Sequence, residues 1–217
     1  MIVTIDGPAG AGKSTAARAL ALRLGFEFLD TGAMYRAVTW FCLRRGIDLS
    51  NEGAVADVVR TIEIRFDGKR VFADNVEVTD EIRTPEVTSA SQHIAGNVAV
   101  RRQLVALQQR FGEGRDIVTE GRDQGTIVFP HAECKFFVTA EPRERALRRQ
   151  QEFERRGQCI NLQELLDQQA ERDARDAARE YGGMKPAIDA LIVDTTGLSH
   201  DQVVETLEQF VRSRGIK

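Results

Sequence analysis

The sequence predicts an α/β fold, a three-layer α/β/α arrangement with a central parallel sheet, in a single domain over 1–217. Three observations predict it. Short β-rich apolar runs alternate with helical stretches along most of the chain. The first run leads through a glycine-rich turn directly into a helix. One segment, about 62–79, interrupts the alternation with short strands and tight turns and reads as a small antiparallel insert.

The elements follow in order. Residues 2–6, I-V-T-I-D, form a strand. S-T-A-A-R-A-L-A-L-R-L is a helix that Gly25 ends. Glu27 to Leu29 is a short strand, and Thr31 is a candidate N-cap for a helix running to about Arg45, with Gly46 as its stop. A short helix is expected over 52–60, then the meander I-E-I-R-F, R-V-F-A and V-E-V with D-G-K and D-N at its turns. Helices resume from about 85 to 111. D-I-V-T-E and K-F-F-V-T are the next strands. A charged helix starts near Pro142 and breaks at Gly157, and a second covers about 162–180. L-I-V-D at 191–194 is the last strand, and Ser199 caps the last helix. Strands that alternate with helices in this way make a parallel sheet covered on both faces. Trp40, Phe41 and Phe26 fit core positions.

Composition bounds the function. A chain of 217 residues buries a sizeable core, and its net charge of −3 argues against a general binder of nucleic-acid polymers or membrane surfaces. Cys42, Cys134 and Cys159 lie far apart, with no C-x-x-C pair, so neither a disulfide framework nor a zinc site is expected. His93, His131 and His200 show no metal spacing. The start, M-I-V-T-I-D, reads as a strand rather than a signal peptide, and no apolar run is long enough to span a bilayer. A cytoplasmic location and no membrane partner are the expectation.

The chemistry begins at Gly7 to Ser14, G-P-A-G-A-G-K-S, a phosphate-binding P-loop in the strand–turn–helix context that the motif requires. Gly7, Pro8, Ala9, Gly10, Ala11, Gly12, Lys13, Ser14 and Thr15 make up such a loop, whose backbone N–H groups (Pro8 has none) turn to phosphate oxygens, and the following helix adds its dipole. Lys13 is placed to bridge the β- and γ-phosphates of ATP, and the Ser14 hydroxyl to ligate Mg²⁺. The fold is thus of the P-loop NTPase type. No N-K-x-D guanine-reading motif occurs, which disfavours a GTPase. The short chain and its arginines favour a small kinase.

Transfer of a phosphoryl group between two anions needs cations around both. Arg36 lies early in its helix. Arg122, in E-G-R-D-Q-G-T, follows a strand at the sheet edge where such folds bind ligands, with Asp123 beside it. In 170–180, A-E-R-D-A-R-D-A-A-R-E, Arg172, Arg175 and Arg179 share a helical face, and Glu171–Arg175 and Arg172–Asp176 are spaced as i,i+4 pairs. A solvated helix laced with ion pairs is the competing reading of that segment, and of Arg145, Arg148, Arg149, Arg155 and Arg156. A basic helix–Gly–helix is also the makeup of a lid that excludes water. No acidic residue announces itself as a partner of the metal.

In their order, I-D-G-P-A-G-A-G-K-S, L-D-T-G-A-M-Y-R, E-I-R-T-P-E-V, A-S-Q, E-G-R-D-Q-G-T-I-V-F-P and R-D-A-R-D-A-A-R resemble bacterial cytidylate kinases over nearly the whole chain. The resemblance implies transfer of the γ-phosphoryl of ATP to CMP or dCMP, with Mg²⁺. It implies that Ser91, Arg101 and Asp123 read the cytosine, and that Arg36, Arg122 and Arg179 hold the acceptor phosphate and, with Lys13, carry the catalysis. Asp176 with Arg172 would contact the sugar, and Thr31 and Tyr35 would line the pocket. Thr31 stands where a serine is common. A one-residue gap around Gly96 to Val100 leaves Arg101 and Arg102 as alternatives. Residues 62–84 look like the family's β insert at the monophosphate and 145–162 like its lid. A monomer is expected. The alternatives are a kinase for another acceptor, such as adenylate or shikimate, and a nucleotide-binding regulatory module without turnover.

Overall fold

A computed structural model describes residues 1–155 and 157–215; Arg156, named above with the basic segment and within the expected lid, lies outside the described residues. In chain order the elements are β1 (Ile2–Asp6), α1 (Lys13–Leu24), β2 (Glu27–Asp30), α2 (Thr31–Arg44), α3 (Glu52–Thr61), β3 (Ile64–Asp67), β4 (Arg70–Ala73) and β5 (Val76–Glu77). Then follow α4 (Pro85–Gly96), α5 (Val98–Gly112), β6 (Ile117–Gly121), β7 (Cys134–Thr139), α6 (Pro142–Glu154), α7 (Leu162–Ala177), β8 (Leu191–Asp194) and α8 (His200–Ser213). A 3₁₀ turn, Glu81–Arg83, and a π-helical turn, Gln124–Val128, complete the set.

The chain divides into two compact units: Met1–Leu29 with Gly112–Lys217, and Asp30–Phe111. The first is built on a five-stranded sheet of order β2-β6-β1-β7-β8. β1 pairs in parallel with β6 and β7, and β7 with β8. Val3, Ile5, Val118, Phe136 and Val138 of the central strands pack under Ala16, Ala17 and Leu20 of α1 and Val203, Val204, Leu207 and Val211 of α8. The residues of these central strands are mostly buried, polar ones such as Thr4 and Thr119 included, as strands inside a parallel sheet are. Phe136 meets Phe210 edge to face at 5.2 Å between ring centres. Removal of a buried aromatic at such a place costs about 3–5 kcal/mol. α8 is closed at its start by the expected Ser199, in a capping box with Gln202.

The parallel register puts Glu120 opposite Ile5 and Gly121 opposite Asp6. The carboxyl ends of β1 and β6 therefore finish side by side, and the chain leaves them as the P-loop and as Arg122–Asp123.

The second unit carries α2 to α5 and the three-stranded antiparallel sheet β3-β4-β5. Its hairpins turn where the sequence placed them, at Gly68 (φ 58°) and at Asp74–Asn75 (φ 48° and 65°), a pair of left-handed residues that matches the twist of the strands. Phe66 of β3 packs edge to face on Phe111 of α5. Val71, Val78, Ile82, Val87, Ile94, Val100 and Leu104 are buried within it.

Two expectations about helix ends change. Thr31 is the first residue of α2 rather than its cap; Asp30 caps the helix, its Oδ1 accepting from the Ala33 N–H at 2.9 Å. Both residue types accept at this position, and the carboxylate one place earlier reaches the third amide. The second charged helix stops at Ala177, so Arg179 lies beyond it. There the chain folds back through Gly182 and Gly183, and the Met184 N–H meets the Asp176 carbonyl at 2.8 Å. A Cβ on Gly183 would stand 2.8 Å from the Ala177 carbonyl oxygen, so this return needs a glycine. The helical stretch 85–111 is two helices, broken at Asn97, whose Oδ1 accepts from the Val100 N–H at 3.1 Å. Among the described residues no helix is long and apolar enough to cross a membrane.

Candidate active site

The P-loop lies where β1 becomes α1. Gly7 has φ 140°, and a Cβ there would come within 2.0 Å of the Val138 carbonyl oxygen, so only glycine fits. Gly12 is the left-handed cap of α1; no side chain caps it and no acidic residue stands in the first turn. The first amides of α1 are thus left to an anionic ligand. Lys13 is 5 % exposed and its ammonium donates to the Pro8 carbonyl at 2.6 Å. Burial, then repulsion from Arg122, pushes its pKa down to about 7, against the pull of Glu120; Arg172 adds repulsion and Asp6 attraction.

The Ser14 hydroxyl donates to Glu120 Oε1 at 2.9 Å. Glu120 is the acidic partner that no sequence signal singled out. It stands at the end of β6, and only the strand order, β6 beside β1, brings it to the loop. Among the described residues no group of three or more His, Cys, Asp or Glu side chains is arranged as a metal site. A lone hydroxyl oriented by one carboxylate suits a hard cation that keeps most of its waters and takes its other ligands from phosphates.

Across the strand ends from Lys13 lies a cluster of cations. Arg122 Nε donates to Asp176 Oδ2 at 2.8 Å, and its Nη1 to the Gly121 carbonyl at 3.1 Å. Arg179 pairs with the other oxygen of Asp176. Burial raises the Asp176 pKa, but Arg122 and Arg179 outweigh it and hold the carboxyl below its ordinary value. Burial, then the repulsion of Arg122, lowers the Arg172 pKa to about 10. In place of the expected Arg172–Asp176 ion pair, Asp176 is held by Arg122 from the end of β6 and by Arg179 just past its own helix. Among the described residues Arg175 is exposed and donates to the Glu171 carbonyl at 3.4 Å, as an arginine on a solvated helix face does. Arg122 repels both Lys13 and Arg172, and Arg172 also repels Lys13, so these cations crowd one another.

Two arginines of the basic segment are structural. Arg145 is 6 % exposed and donates to the carbonyls of Ala140 and Ala9 and to Asp173, at 3.1, 2.9 and 2.7 Å. Gly10 admits this contact: a Cβ on it would stand 3.1 Å from Arg145 Cβ. Arg148 donates to the Thr195 hydroxyl and carbonyl, and Thr195 donates in turn towards the Ala11 carbonyl at 3.3 Å. The start of α6 is therefore fastened to the P-loop, and no sequence signal distinguished these arginines from their solvated neighbours.

The second unit holds the remaining predicted residues. Thr31, Tyr35 and Arg36 lie in the first turns of α2. Arg36 stands 3.5 Å from Asp30, and its buried Nε has no hydrogen-bond partner among the described residues. Arg101 of α5 is 3 % exposed; it donates to the Ala95 carbonyl at 3.2 Å and its guanidinium lies over the Tyr35 ring, 5.8 Å from the centre. Arg102 is exposed. Ser91 is half-buried on α4 and donates to the Thr88 carbonyl at 2.8 Å.

Comparison with known proteins bears on this arrangement. The family model described as cytidylate kinase matches residues 3–213. The chain is 48 % identical to the cytidylate kinase of Rhodopirellula baltica, over 98 % of this chain and 93 % of that one. It is 42 % identical to the cytidylate kinase of Caldanaerobacter subterraneus, over 97 % of this chain and 94 % of that one. It is 45 % identical to the bifunctional pantoate ligase/cytidylate kinase of Trichormus variabilis, where it matches 98 % of its own length but 41 % of the longer protein. A crystal structure of an uncharacterized protein from Eubacterium ventriosum shares the fold, with a TM-score of 0.56 at 11 % identity, over 98 % of this chain and 99 % of that one.

Proposed function

The chain belongs to the cytidylate kinase family, and from that membership we propose how its residues divide the work. It is a nucleoside monophosphate kinase that transfers the γ-phosphoryl of ATP to CMP, giving CDP and ADP. The proposal extends to dCMP as a second acceptor, to Mg²⁺ as the metal and to a monomer in the cytoplasm as the working form. The observation that carries the division of roles is the cation cluster of Lys13, Arg122, Arg172 and Arg179, gathered at the strand ends beside the open end of α1.

An oxygen of the CMP phosphate attacks the γ-phosphorus as the bond from that phosphorus to the β-bridging oxygen breaks. The acceptor is already ionised, so no general base is required and the demand falls on position and charge. The loop from Gly7 to Thr15 holds the donor phosphates by its amides. Lys13, which rests on the Pro8 carbonyl, turns to the β- and γ-phosphates. Arg36, Arg122 and Arg179 take the acceptor phosphate. The buried Nε of Arg36, which has no hydrogen-bond partner among the described residues, supports its part. Ser14, oriented by Glu120, would hold Mg²⁺, which when bound neutralises phosphate charge. Asp176 keeps Arg122 and Arg179 aligned and with Arg172 contacts the sugar.

Ser91, Arg101 and Asp123 read the cytosine edge, with Thr31 and Tyr35 beside them. Burial of Arg101 against Tyr35 supports it over the exposed Arg102. The β insert over 62–84 serves the monophosphate. The lid over 145–162 closes from beyond Arg148, since Arg145 and Arg148 are fastened to the loop. ADP formation measured with CMP, dCMP, UMP and AMP in parallel tests the reading. Rates for CMP and dCMP well above those for UMP and AMP are expected, and a protein indifferent to CMP would overturn it.

A further inference from the structure

The π-helical turn Gln124–Val128 starts directly after Arg122 and Asp123, and its last amides bond five residues back, Val128 to the Asp123 carbonyl and Phe129 to the Gln124 carbonyl. Such turns are rare and collect at functional sites. Asp123 stands at its N-cap but makes no capping bond with its side chain. The first amides are met instead from another strand. The Gln124 N–H donates to Asp6 Oδ1 at 2.8 Å, and the Gly125 N–H donates to Asp6 Oδ2 at 2.7 Å. The Gln124 side chain folds back, and its Oε1 accepts from the Thr119 hydroxyl at 2.9 Å. Both glycines of G-R-D-Q-G are explained by this fit. A Cβ on Gly121 would stand 2.8 Å from Gln124 Cγ. One on Gly125 would meet Thr4 Oγ1 at 2.9 Å, Lys135 Cδ at 3.3 Å and Asp6 Oδ2 at 3.4 Å.

Asp6 is an expensive cap. It is 4 % exposed, and an ionised carboxylate at such a depth costs stability even with two N–H donors. Burial pushes its pKa up to about 7 against those two donors. The charged groups that face it are Asp123 of the turn, which raises the pKa further, and Lys13 of α1, which lowers it. Lys135 of β7 lies along Gly125 with its ammonium on Asp189.

We propose that Asp6 is a positioning residue for the acceptor: it clamps the turn Gln124–Val128 so that Arg122 and Asp123 keep the places from which they meet CMP. This rests on the acceptor role proposed for those two residues. The two N–H donors use both carboxylate oxygens, so a proton on either oxygen weakens the clamp.

The test compares wild type, Asp6→Asn and Gly125→Ala at pH 8, with KM and kcat determined for CMP and for ATP separately. Asn offers one oxygen and an amide N–H to the two donors. On the order of a 10–100-fold loss in kcat/KM for CMP is expected, with KM for ATP within about 3-fold of wild type, as for a lost orienting contact. The wild-type kcat/KM for CMP should also fall below about pH 7, and Asp6→Asn should flatten that limb. Equal losses towards ATP and CMP, or unchanged CMP kinetics, overturn the proposal. Should Asp6→Asn fail to fold, Gly125→Ala decides by the same criteria, because its methyl presses on Thr4 and on Asp6 Oδ2 and displaces the same turn. A wild type that ignores CMP strikes the proposed function instead, and the clamp is then judged on whichever acceptor of the panel it uses.

Discussion

Lys13 shows how much one side chain is asked to do. Its ammonium is buried, repelled by Arg122 and Arg172, and held on the carbonyl of its own loop. With a pKa near 7 it is largely neutral at pH 8 in the empty site, and phosphates beside it would restore the charge. ATP binding at pH 8 should therefore take up to about one proton, seen as a dependence of the calorimetric enthalpy on the buffer's ionisation enthalpy. Lys13→Ala should abolish that uptake and lower kcat by about 100-fold or more, with the circular dichroism spectrum unchanged. Near-wild-type turnover would remove Lys13 from the mechanism. Arg179→Ala should cost about 10–100-fold in kcat/KM for CMP, since it withdraws one of the cations that Asp176 aligns. An unchanged value would return Arg179 to the solvated face it resembles in sequence.

At the scale of elements, α6 and the return after α7 decide where charge sits. α6 reads as a uniformly charged helix, yet Arg145 is driven inward by three acceptors, among them the Ala9 carbonyl of the P-loop. Arg145→Ala would leave Asp173 and that carbonyl without their cation. A loss of about 2–4 kcal/mol in unfolding free energy is expected, read from urea midpoints. The half-exposed Arg149, three residues from its partner Glu152, should change stability by less than about 1 kcal/mol when replaced by alanine. Just past the stop at Ala177, Arg179 meets the Asp176 carboxylate that Arg122 also holds, so one carboxylate gathers two guanidiniums.

At the scale of the whole molecule, two buried groups of the first unit set opposing slopes of stability against pH. Asp6 has its pKa raised from 3.8 to about 7. The folded state then binds its proton more tightly than the unfolded chain, and stability falls as pH rises from about 4 to about 7. Lys13 has its pKa lowered from 10.5 to about 7. The unfolded chain then holds the proton more tightly, and stability rises as pH goes from about 7 towards 10.5. The two contributions together place a minimum near neutral pH in the ligand-free protein. Urea midpoints measured from pH 5 to pH 9 should show it with a depth on the order of a few kcal/mol. Lys13→Met should flatten the alkaline side and Asp6→Asn the acid side. ATP at saturation should fill the minimum in.

The α/β alternation, the β meander with its two left-handed turns, the P-loop and the ordered family motifs are all legible in the sequence. Each is a local pattern: a period, a pair of turn residues, or a glycine that no other residue replaces. That is why Ser199, Gly68 and Asp74–Asn75 stand where the residues place them. What the tertiary structure decided is which distant residues share a neighbourhood. Glu120 meets Ser14 because β6 pairs with β1, and Asp6 caps the turn after Asp123 for the same reason. Asp176 meets Arg122, far away in sequence, because the end of β6 delivers that guanidinium to it. Strand order is fixed by the burial of whole sheets and by crossover connections, which leave no mark on any short window of residues. The chain's local patterns thus determined that it binds phosphates and what its relatives act on, while the packing of the sheet chose the carboxylates that hold the binding groups in place.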